Sequence, residues 1–166
     1  MKGPTLAEIR ELDIDTVGAQ GDGHSHGPVF TPLTLPGERV TAQVQGERAE
    51  VVELLQASRD RVVPPCPHFG ACGGCALQHW ADEPYLDWKG EQVRLALKRE
   101  RIETEIAPTF ASPPASRRRL ALHARRGKGG VVIGFKARRS WDLVPIEVCP
   151  ISDPRLVAAF PALREL

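Results

Sequence analysis

Four cysteines, and their separations along the chain, constrain the fold of this 166-residue sequence more than any other feature. Cys66, Cys72 and Cys75 lie within ten residues, and only Cys149 remains as a distant fourth. Glycines surround the first three in HFGACGGC, and glycine lets a backbone wrap closely around a bound group and point N–H donors at it. If all four thiols bind one group, the chain must fold so that residue 149 returns to residues 66–75.

The spacing leaves several interpretations of these cysteines open. Thiolates are soft ligands that suit zinc or iron–sulfur clusters. Structural zinc sites usually pair two CxxC motifs, whereas this chain has one such pair and two outlying cysteines. A CxxC redox motif would sit beside a βαβ unit, and the sequence predicts none. A four-thiolate cluster uses every cysteine, and Cys66 and Cys149 precede proline, as in the bacterial ferredoxin run. Spacing therefore favours iron–sulfur over zinc, with unrelated buried cysteines as a further alternative.

Composition narrows the class of protein. Hydrophobic residues make up 42% and charged residues 26%, as in soluble globular proteins. No apolar run approaches the roughly 20 residues of a membrane span, and the N-terminal MKGPTLAEIRELDID lacks the apolar core of a secretory signal. We therefore expect a cytoplasmic protein without a membrane partner. Thiols stay reduced in that compartment, so we interpret the cysteines as metal ligands or catalytic residues rather than as disulfides.

The net charge of +1 conceals a strong asymmetry along the chain. Residues 1–60 carry twice as many acidic as basic residues, whereas residues 106–141 carry no acidic residue at all. The basic stretch is therefore the part that would meet a polyanion such as RNA, although a solvated charged surface is the alternative. The candidate RNA contacts are Arg117, Arg118, Arg119, Arg125, Arg126, Lys128, Lys136, Arg138 and Arg139.

Short alternating segments over residues 8–56 predict a small β barrel, with a generic β-meander as the alternative that the pattern does not separate from it. The glycine-rich segment GAQGDGHSHG suits a turn or open loop between its strands. His24 and His26 lie there without further metal ligands nearby, so we expect solvated loop histidines rather than a metal pair. Phe30 could stack on a nucleobase or belong to the core.

The second half of the sequence predicts helices around a sheet. Residues 83–100 form a helical pattern with Leu86, Val93 and Leu97 on one face. Three predicted strands follow, in RRRLALHARR, VVIGFKA and WDLVPIEV. Asp153 is a predicted N-cap followed by Pro154 at the first helical position.

The cysteine segment CPHFGACGGCALQH (66–79) resembles the cluster motif of the RNA uracil-5 methyltransferases. This SAM-dependent family makes 5-methyluridine in ribosomal and transfer RNA. The similarity continues in family order over almost the whole chain. Two segments, TLPGERV (34–40) and SRDRVVPPC (58–66), resemble the family's TRAM barrel and its exit. The segment YLDWK (85–89) resembles the helix after the cluster. The segments GFKARRS (134–140) and VCPI (148–151) resemble the end of the central sheet and the fourth cluster ligand.

The resemblance implies an α+β chain with two domains. Residues 1–58 would form a TRAM-like, OB-type barrel, and residues 59–166 a cluster-bearing antiparallel sheet with flanking helices and the basic surface. A [4Fe–4S] cluster would be held by the four cysteines. Because they lie in or beside the cysteine motif, His68, Gln78 and His79 are candidates for hydrogen bonds around the cluster; for the two histidines, contact with RNA or simple packing is the alternative. We expect Trp80, Trp88 and Trp141 to belong to the core, where they could shield the cluster from water.

The resemblance also implies a function, with departures that limit it. The expected role is the RNA-binding and cluster-bearing portion of a monomeric uracil-5 methyltransferase acting on 23S rRNA, or alternatively on tRNA. Ser116 stands where the family often has an aromatic residue, and no SAM-binding glycine motif, nucleophilic cysteine or general base is recognisable. We therefore assign no catalytic residue, expect SAM only with a further catalytic domain, and expect this chain to be inactive alone. The alternatives are a stand-alone RNA-binding module and a zinc-stabilised interaction protein.

Overall fold

The computed structural model describes residues 7–165. Residues 1–6, which the predicted barrel domain includes, and residue 166 lie outside the described range. In this range no helix is long and apolar enough to cross a membrane.

The chain divides into two compact units, each made of two segments. The barrel unit runs to Val63 and includes His79–Thr109. The cysteine unit contains Pro64–Gln78 and the chain from Phe110 onward. The predicted domain boundary after residue 58 stays a prediction.

Five strands of the barrel unit close into a barrel. They are β1 (Glu8–Val17), β2 (Asp22–Ser25), β3 (Phe30–Pro32), β4 (Arg39–Gln45) and β5 (Arg48–Gln56), and their order around the barrel is β1-β2-β3-β5-β4. Inward side chains alternate with more solvated ones, as along β4, where Val40, Ala42 and Val44 are buried between exposed or half-buried neighbours. These residues pack with Leu12, Ile14, Val29 and Ala49 in one apolar core. The predicted small barrel is confirmed.

The glycine-rich segment begins with the turn that its composition predicts, where Gly21 N donates to the Gly18 carbonyl at 2.8 Å. It is not an open loop throughout, however, because it also contains strand β2. A Cβ on Gly23 would lie 2.0 Å from Thr34 Oγ1, so glycine serves close packing at this position rather than flexibility. His24 is not a solvated loop residue either, since its ring contacts Phe30 edge-on at 4.4 Å between centroids. His26 is exposed as predicted, and its Nδ1 lies 3.2 Å from an Asp15 carboxylate oxygen.

A buried ion pair fixes the exit of the barrel. The Glu38 carboxylate is fully buried and accepts hydrogen bonds from Arg61 Nη2 at 2.8 Å, Leu35 N at 2.9 Å and Ser58 N at 3.2 Å. Arg61 Nη2 also donates to the Leu33 carbonyl at 2.8 Å. Burial alone would raise the pKa of Glu38, but these hydrogen bonds hold it below its ordinary value.

The predicted helix is confirmed as α1 (Asp82–Arg99). None of its residues is buried, however, and Val93 on the predicted apolar face is half exposed. Trp88 ties the helix to the barrel, since its Nε1 donates to the Val17 carbonyl at 2.9 Å. Trp80 is buried as predicted and packs against the Trp88 and Tyr85 rings.

The cysteine unit contains a three-stranded antiparallel sheet in the order β6 (His123–Gly127), β7 (Gly130–Lys136), β8 (Leu143–Pro145). Strand β6 begins later than the RRRLALHARR pattern predicts. Asp153 caps α2 (Pro154–Ala158) by accepting from Arg155 N at 2.9 Å, as predicted. The chain then continues as a second short helix, α3 (Phe160–Arg164), with Pro161 in its first turn. The mixed α+β class is confirmed.

The prediction that Trp141 belongs to the core is wrong. Its side chain stands in the β7–β8 connection and is 87% exposed. The apolar core of this unit instead consists of Ile133, Ile146 and Phe160, with partly buried neighbours around them.

Candidate metal and RNA-binding site

All four cysteines line one small cavity of the cysteine unit. Cys66, Cys72 and Cys75 approach it from the loop, and Cys149 from the segment after β8. The cavity is also lined by the loop residues His68, Phe69, Gly74 and Gln78 and, from the sheet side, by Arg117, Phe135, Ile146, Val148 and Ile151. The structure thus brings the distant Cys149 back to residues 66–75, as a shared site requires.

Backbone pairing holds the cysteine loop against the end of β7. Cys72 forms an isolated antiparallel bridge with Ala137, and Gly73 N donates to the Lys136 carbonyl at 2.9 Å. A Cβ on Gly73 would lie 2.8 Å from that carbonyl oxygen and from Arg138 N. Since real side chains do not come so close to backbone, this approach requires glycine.

A second backbone ladder positions Cys149. Arg117 N donates to the Ile151 carbonyl at 3.0 Å, and Asp153 N donates to the Arg117 carbonyl at 2.9 Å. Ser152 N closes a turn onto the Cys149 carbonyl at 3.1 Å. The basic segment and the last cysteine are therefore parts of one local arrangement.

Three of the four sulfur atoms have a hydrogen-bond donor within the unit. Ser152 Oγ donates to Cys149 Sγ at 3.0 Å, and Gly74 N donates to Cys72 Sγ at 3.4 Å. The side chain of Gln78 hydrogen-bonds Cys75. The sequence analysis missed Ser152, and its position three residues after Cys149 is the signal that could have identified it.

The thiols of Cys72 and Cys75 hold their protons more tightly than free cysteine. Burial is the main reason that the pKa values of Cys72 and Cys75 lie above the ordinary value of 9.0. The nearby Cys149 raises both further, because two thiolates repel each other. The hydrogen bonds from Gly74 and Gln78 oppose this rise. A cation bound here would have to displace these protons, so its affinity would rise with pH.

The described residues contain no group of three or more His, Cys, Asp or Glu side chains that could hold a metal ion in its present geometry. The cavity that the four thiols share with nine other lining residues has a volume of about 30 Å³. The donor set itself is the soft, all-thiolate set that iron–sulfur clusters and structural zinc share.

The three polar residues predicted near the cluster lie in different places. His68 and Gln78 line the cavity, and Glu147 N donates to His68 Nε2 at 3.3 Å. His79 does not line it, since it belongs to the barrel unit and is fully buried there. Burial lowers the pKa of His79 to about 4. Its predicted hydrogen bond to a cluster sulfur stays a prediction.

Most of the predicted RNA-contacting residues are exposed, and Lys136 and Arg138 are half-buried. Every residue of β6 is exposed, and this strand forms an edge of the sheet. Arg125 and Arg126 point to opposite faces, because successive side chains of a strand alternate. Residues 117–119 precede the sheet, with Arg117 at the cysteine cavity. The basic residues are thus distributed around the sheet rather than confined to one face.

Curated relatives of the chain are named RNA methyltransferases. An uncharacterized RNA methyltransferase of Caulobacter vibrioides is 63% identical over 164 residues, which cover 95% of this chain and 40% of that protein. A similarly named protein of Brucella suis is 42% identical, with 98% and 40% covered. The 23S rRNA (uracil(1939)-C(5))-methyltransferase RlmD of Halomonas elongata is 39% identical, with 94% and 35% covered. The chain thus spans about two fifths of its relatives' length.

A solved structure supports the fold. The crystal structure of Pyrococcus abyssi tRNA (uracil-54, C5)-methyltransferase in complex with S-adenosyl-L-homocysteine matches with a TM-score of 0.63. The match has 22% sequence identity and covers 93% of this chain and 36% of that one. No protein-family model matches the chain. The sequence resemblance to the RNA uracil-5 methyltransferases is confirmed for the segment that this chain spans.

Proposed function

We propose that this chain is the RNA-binding and [4Fe–4S]-bearing portion of a SAM-dependent RNA uracil-5 methyltransferase. The chain is homologous to about two fifths of the length of bacterial RNA methyltransferases. The observation that carries the proposal is the convergence of four thiols on one cavity beside a strongly basic segment. The substrate would be a uridine of 23S rRNA, as the name of the Halomonas relative indicates, or of tRNA, as that of the Pyrococcus structure indicates. Such an enzyme would act in the cytoplasm, and we propose that it is a monomer.

Charge and exposure support the RNA-binding role. Residues 106–141 contain nine basic and no acidic residues, and most of those side chains reach solvent. Arginine guanidinium groups can bind phosphates in a bidentate manner and stack on bases. Residues 1–60 carry twice as many acidic as basic residues, so we propose that the barrel has a structural role or contacts RNA through its loops.

The chemistry of the donor set supports a cluster held by Cys66, Cys72, Cys75 and Cys149. When bound, a cluster would supply four iron–thiolate bonds that cross-link the cysteine loop to the end of the sheet. The residues of the chain would prepare this site through the donors Gly74 N, Gln78 and Ser152 Oγ, which face sulfur atoms and would stabilise negative charge there. Zinc is the competing occupant, because the same four thiolates suit it.

The methyl transfer itself is proposed for the part of the relatives that this chain does not span. There a nucleophilic cysteine would add to C6 of the uracil and SAM would supply the methyl group to C5. A general base would then remove the C5 proton so that the cysteine leaves C6. The role of this chain would be to bind structured RNA so that the target uridine, flipped out of its stack, can reach that site.

Charge reversal tests the RNA-binding role. In the variant Arg118→Glu/Arg119→Glu, two exposed cations are lost without touching Arg117 at the cavity. For a single-stranded RNA, we expect weaker binding and a dependence of log affinity on log salt that is shallower by about 1.4, because each lost phosphate contact removes about 0.7. Affinity measured at several salt concentrations gives this slope.

The matched control reverses Lys98 and Arg99, which are exposed at the end of α1 in the barrel unit. This variant changes net charge by the same amount and should keep most of the wild-type slope. If both variants lose affinity equally, binding depends on total charge alone, and if neither does, the basic segment does not bind RNA.

A further inference from the structure

Trp141 is exposed in a setting that suits a nucleobase. It is the one strongly exposed tryptophan of the chain, since Trp80 is buried and Trp88 is half-buried. The cation of Lys136 lies over its ring, with Nζ 3.3 Å from the ring centroid. The side chain is nevertheless 87% exposed, so the ring face opposite the lysine is open to a flat partner.

The connection that carries Trp141 is held in one conformation by its own hydrogen bonds. Ala137 N donates to the Asp142 carbonyl at 2.9 Å, and Ser140 N donates to the Ala137 carbonyl at 3.2 Å. Ser140 Oγ also bonds the Asp142 carboxylate at 2.6 Å and accepts from Asp142 N at 3.0 Å. The ring is therefore presented on an ordered turn, and a partner would meet it with little further loss of conformational entropy.

The surroundings of Trp141 favour a nucleic acid over an apolar protein surface. Its near neighbours in sequence are the bases Lys136, Arg138 and Arg139 and one acid, Asp142, whose carboxylate accepts the Ser140 hydroxyl within the turn. The wider segment from residue 106 to Trp141 contains no acidic residue. The base of the turn is the point where Gly73 and Cys72 pair with the chain. An aromatic ring flanked by cations is the arrangement by which proteins bind single-stranded nucleic acids, with bases on the ring and phosphates on the cations.

We propose that Trp141 stacks on an unpaired base of the bound RNA, with Lys136 covering the opposite face of the ring. The inference rests on the proposed RNA-binding function and adds a residue that reads a base rather than a phosphate. If the proposal is right, the contribution of Trp141 to RNA affinity requires a base. This contribution should not change with salt concentration, because stacking releases no counterion.

The test compares two oligomers on the full 166-residue chain: a single-stranded oligouridine and an abasic ribose-phosphate oligomer of the same length. The wild type should bind the oligouridine more tightly. Trp141→Ala should weaken oligouridine binding about 5- to 150-fold, the range expected for one base stack, and should bind the two oligomers equally. Its salt slope should equal that of the wild type, and Trp141→Phe should restore most of the affinity.

Tryptophan fluorescence gives an independent measurement. Oligouridine should quench the wild-type emission, and this quenching should disappear in Trp141→Phe, which keeps Trp80 and Trp88. Unchanged thermal unfolding of Trp141→Ala would show that the exposed side chain is not needed for folding.

The failures of the two proposals can be told apart. A wild-type chain that binds neither oligomer overturns the RNA-binding function and the stacking proposal with it. A wild type that binds oligouridine with the expected salt slope, but equals Trp141→Ala in affinity and shows no quenching, overturns stacking alone. Trp141 would then face a protein surface.

Discussion

The barrel unit and the cysteine unit differ in how much apolar surface they bury. In the described part of the barrel unit, ten apolar residues are buried, of which Leu12 is the first and Trp80 the last along the chain. The sheet of this unit is closed, so it leaves no strand edge. In the described part of the cysteine unit, the fully buried apolar residues are Ile133, Ile146 and Phe160. Its sheet has three strands, and strand β6 is exposed at every residue.

This difference indicates two sources of stability. The barrel has the burial that a small domain needs to fold by itself. The cysteine unit has little apolar core, but it places four thiols around one point, and metal binding to such a set contributes folding free energy directly. Our central proposal is therefore that the barrel folds by burial and that the cysteine unit depends on the group that its four thiols would bind.

The largest single-residue effect in the barrel should come from the buried ion pair. Arg61→Met leaves the Glu38 carboxylate buried without its cation, which we expect to lower the free energy of unfolding of the barrel by about 3–5 kcal/mol. Urea denaturation measures this loss. The iron content of the cysteine unit should not change if the two units have separate sources of stability.

Arg59→Ala is the matched control, because the Arg59 side chain is 93% exposed and its carboxylate partner Asp60 lies 3.5 Å away. Such a surface pair contributes at most about 1 kcal/mol. Equal effects of the two substitutions would show that the Glu38–Arg61 pair does not secure the barrel.

Acid should weaken the barrel through His79. Its pKa is about 4 in the folded state, below the ordinary value of 6.5, so the unfolded chain binds a proton first. The contribution of His79 is complete above pH 6.5 and is lost as the pH falls to 4, by about 3 kcal/mol at most. The lowered pKa of Glu38 acts in the same direction at still lower pH. Unfolding free energies measured across this range give the slope.

His79→Gln is the control for this pH dependence, since a neutral side chain cannot take up the proton. Its stability should change less between pH 6.5 and 4 than that of the wild type. If the unfolding free energy of this variant changes with pH as steeply as that of the wild type, then groups other than His79 cause the pH dependence.

Sequence patterns predict those elements in which apolar and polar side chains alternate regularly or a capping residue marks the end of a helix. The alternation of β4 and the cap of α2 are both found in the structure. Strand β2 was missed because its glycine is required by close packing against Thr34, which composition alone does not distinguish from a flexible loop. Trp141 was misplaced because hydrophobicity predicts burial, whereas its exposure depends on the turn that carries it.

The sequence predicted the ligand residues of the site but not the contacts that bring them together. The cysteines were identifiable as a set because the chain has no others. The convergence of Cys149 with the loop depends on the backbone pairing of residue 117 with residues 151–153, and that pairing is long-range. Ser152 was missed since a serine has no distinctive meaning until its hydroxyl is seen to reach a sulfur.

Hydrogen exchange on anaerobically prepared protein, before and after removal of its metal, tests the central proposal most directly. We expect about four irons and four sulfides per chain, as the cluster formula requires. After metal removal, amides of β7 should lose most of their protection, while amides of β4 in the barrel keep theirs. Protein without iron would contradict the cluster, and a cysteine unit that stays fully protected without metal would contradict the dependence of its fold on the bound group.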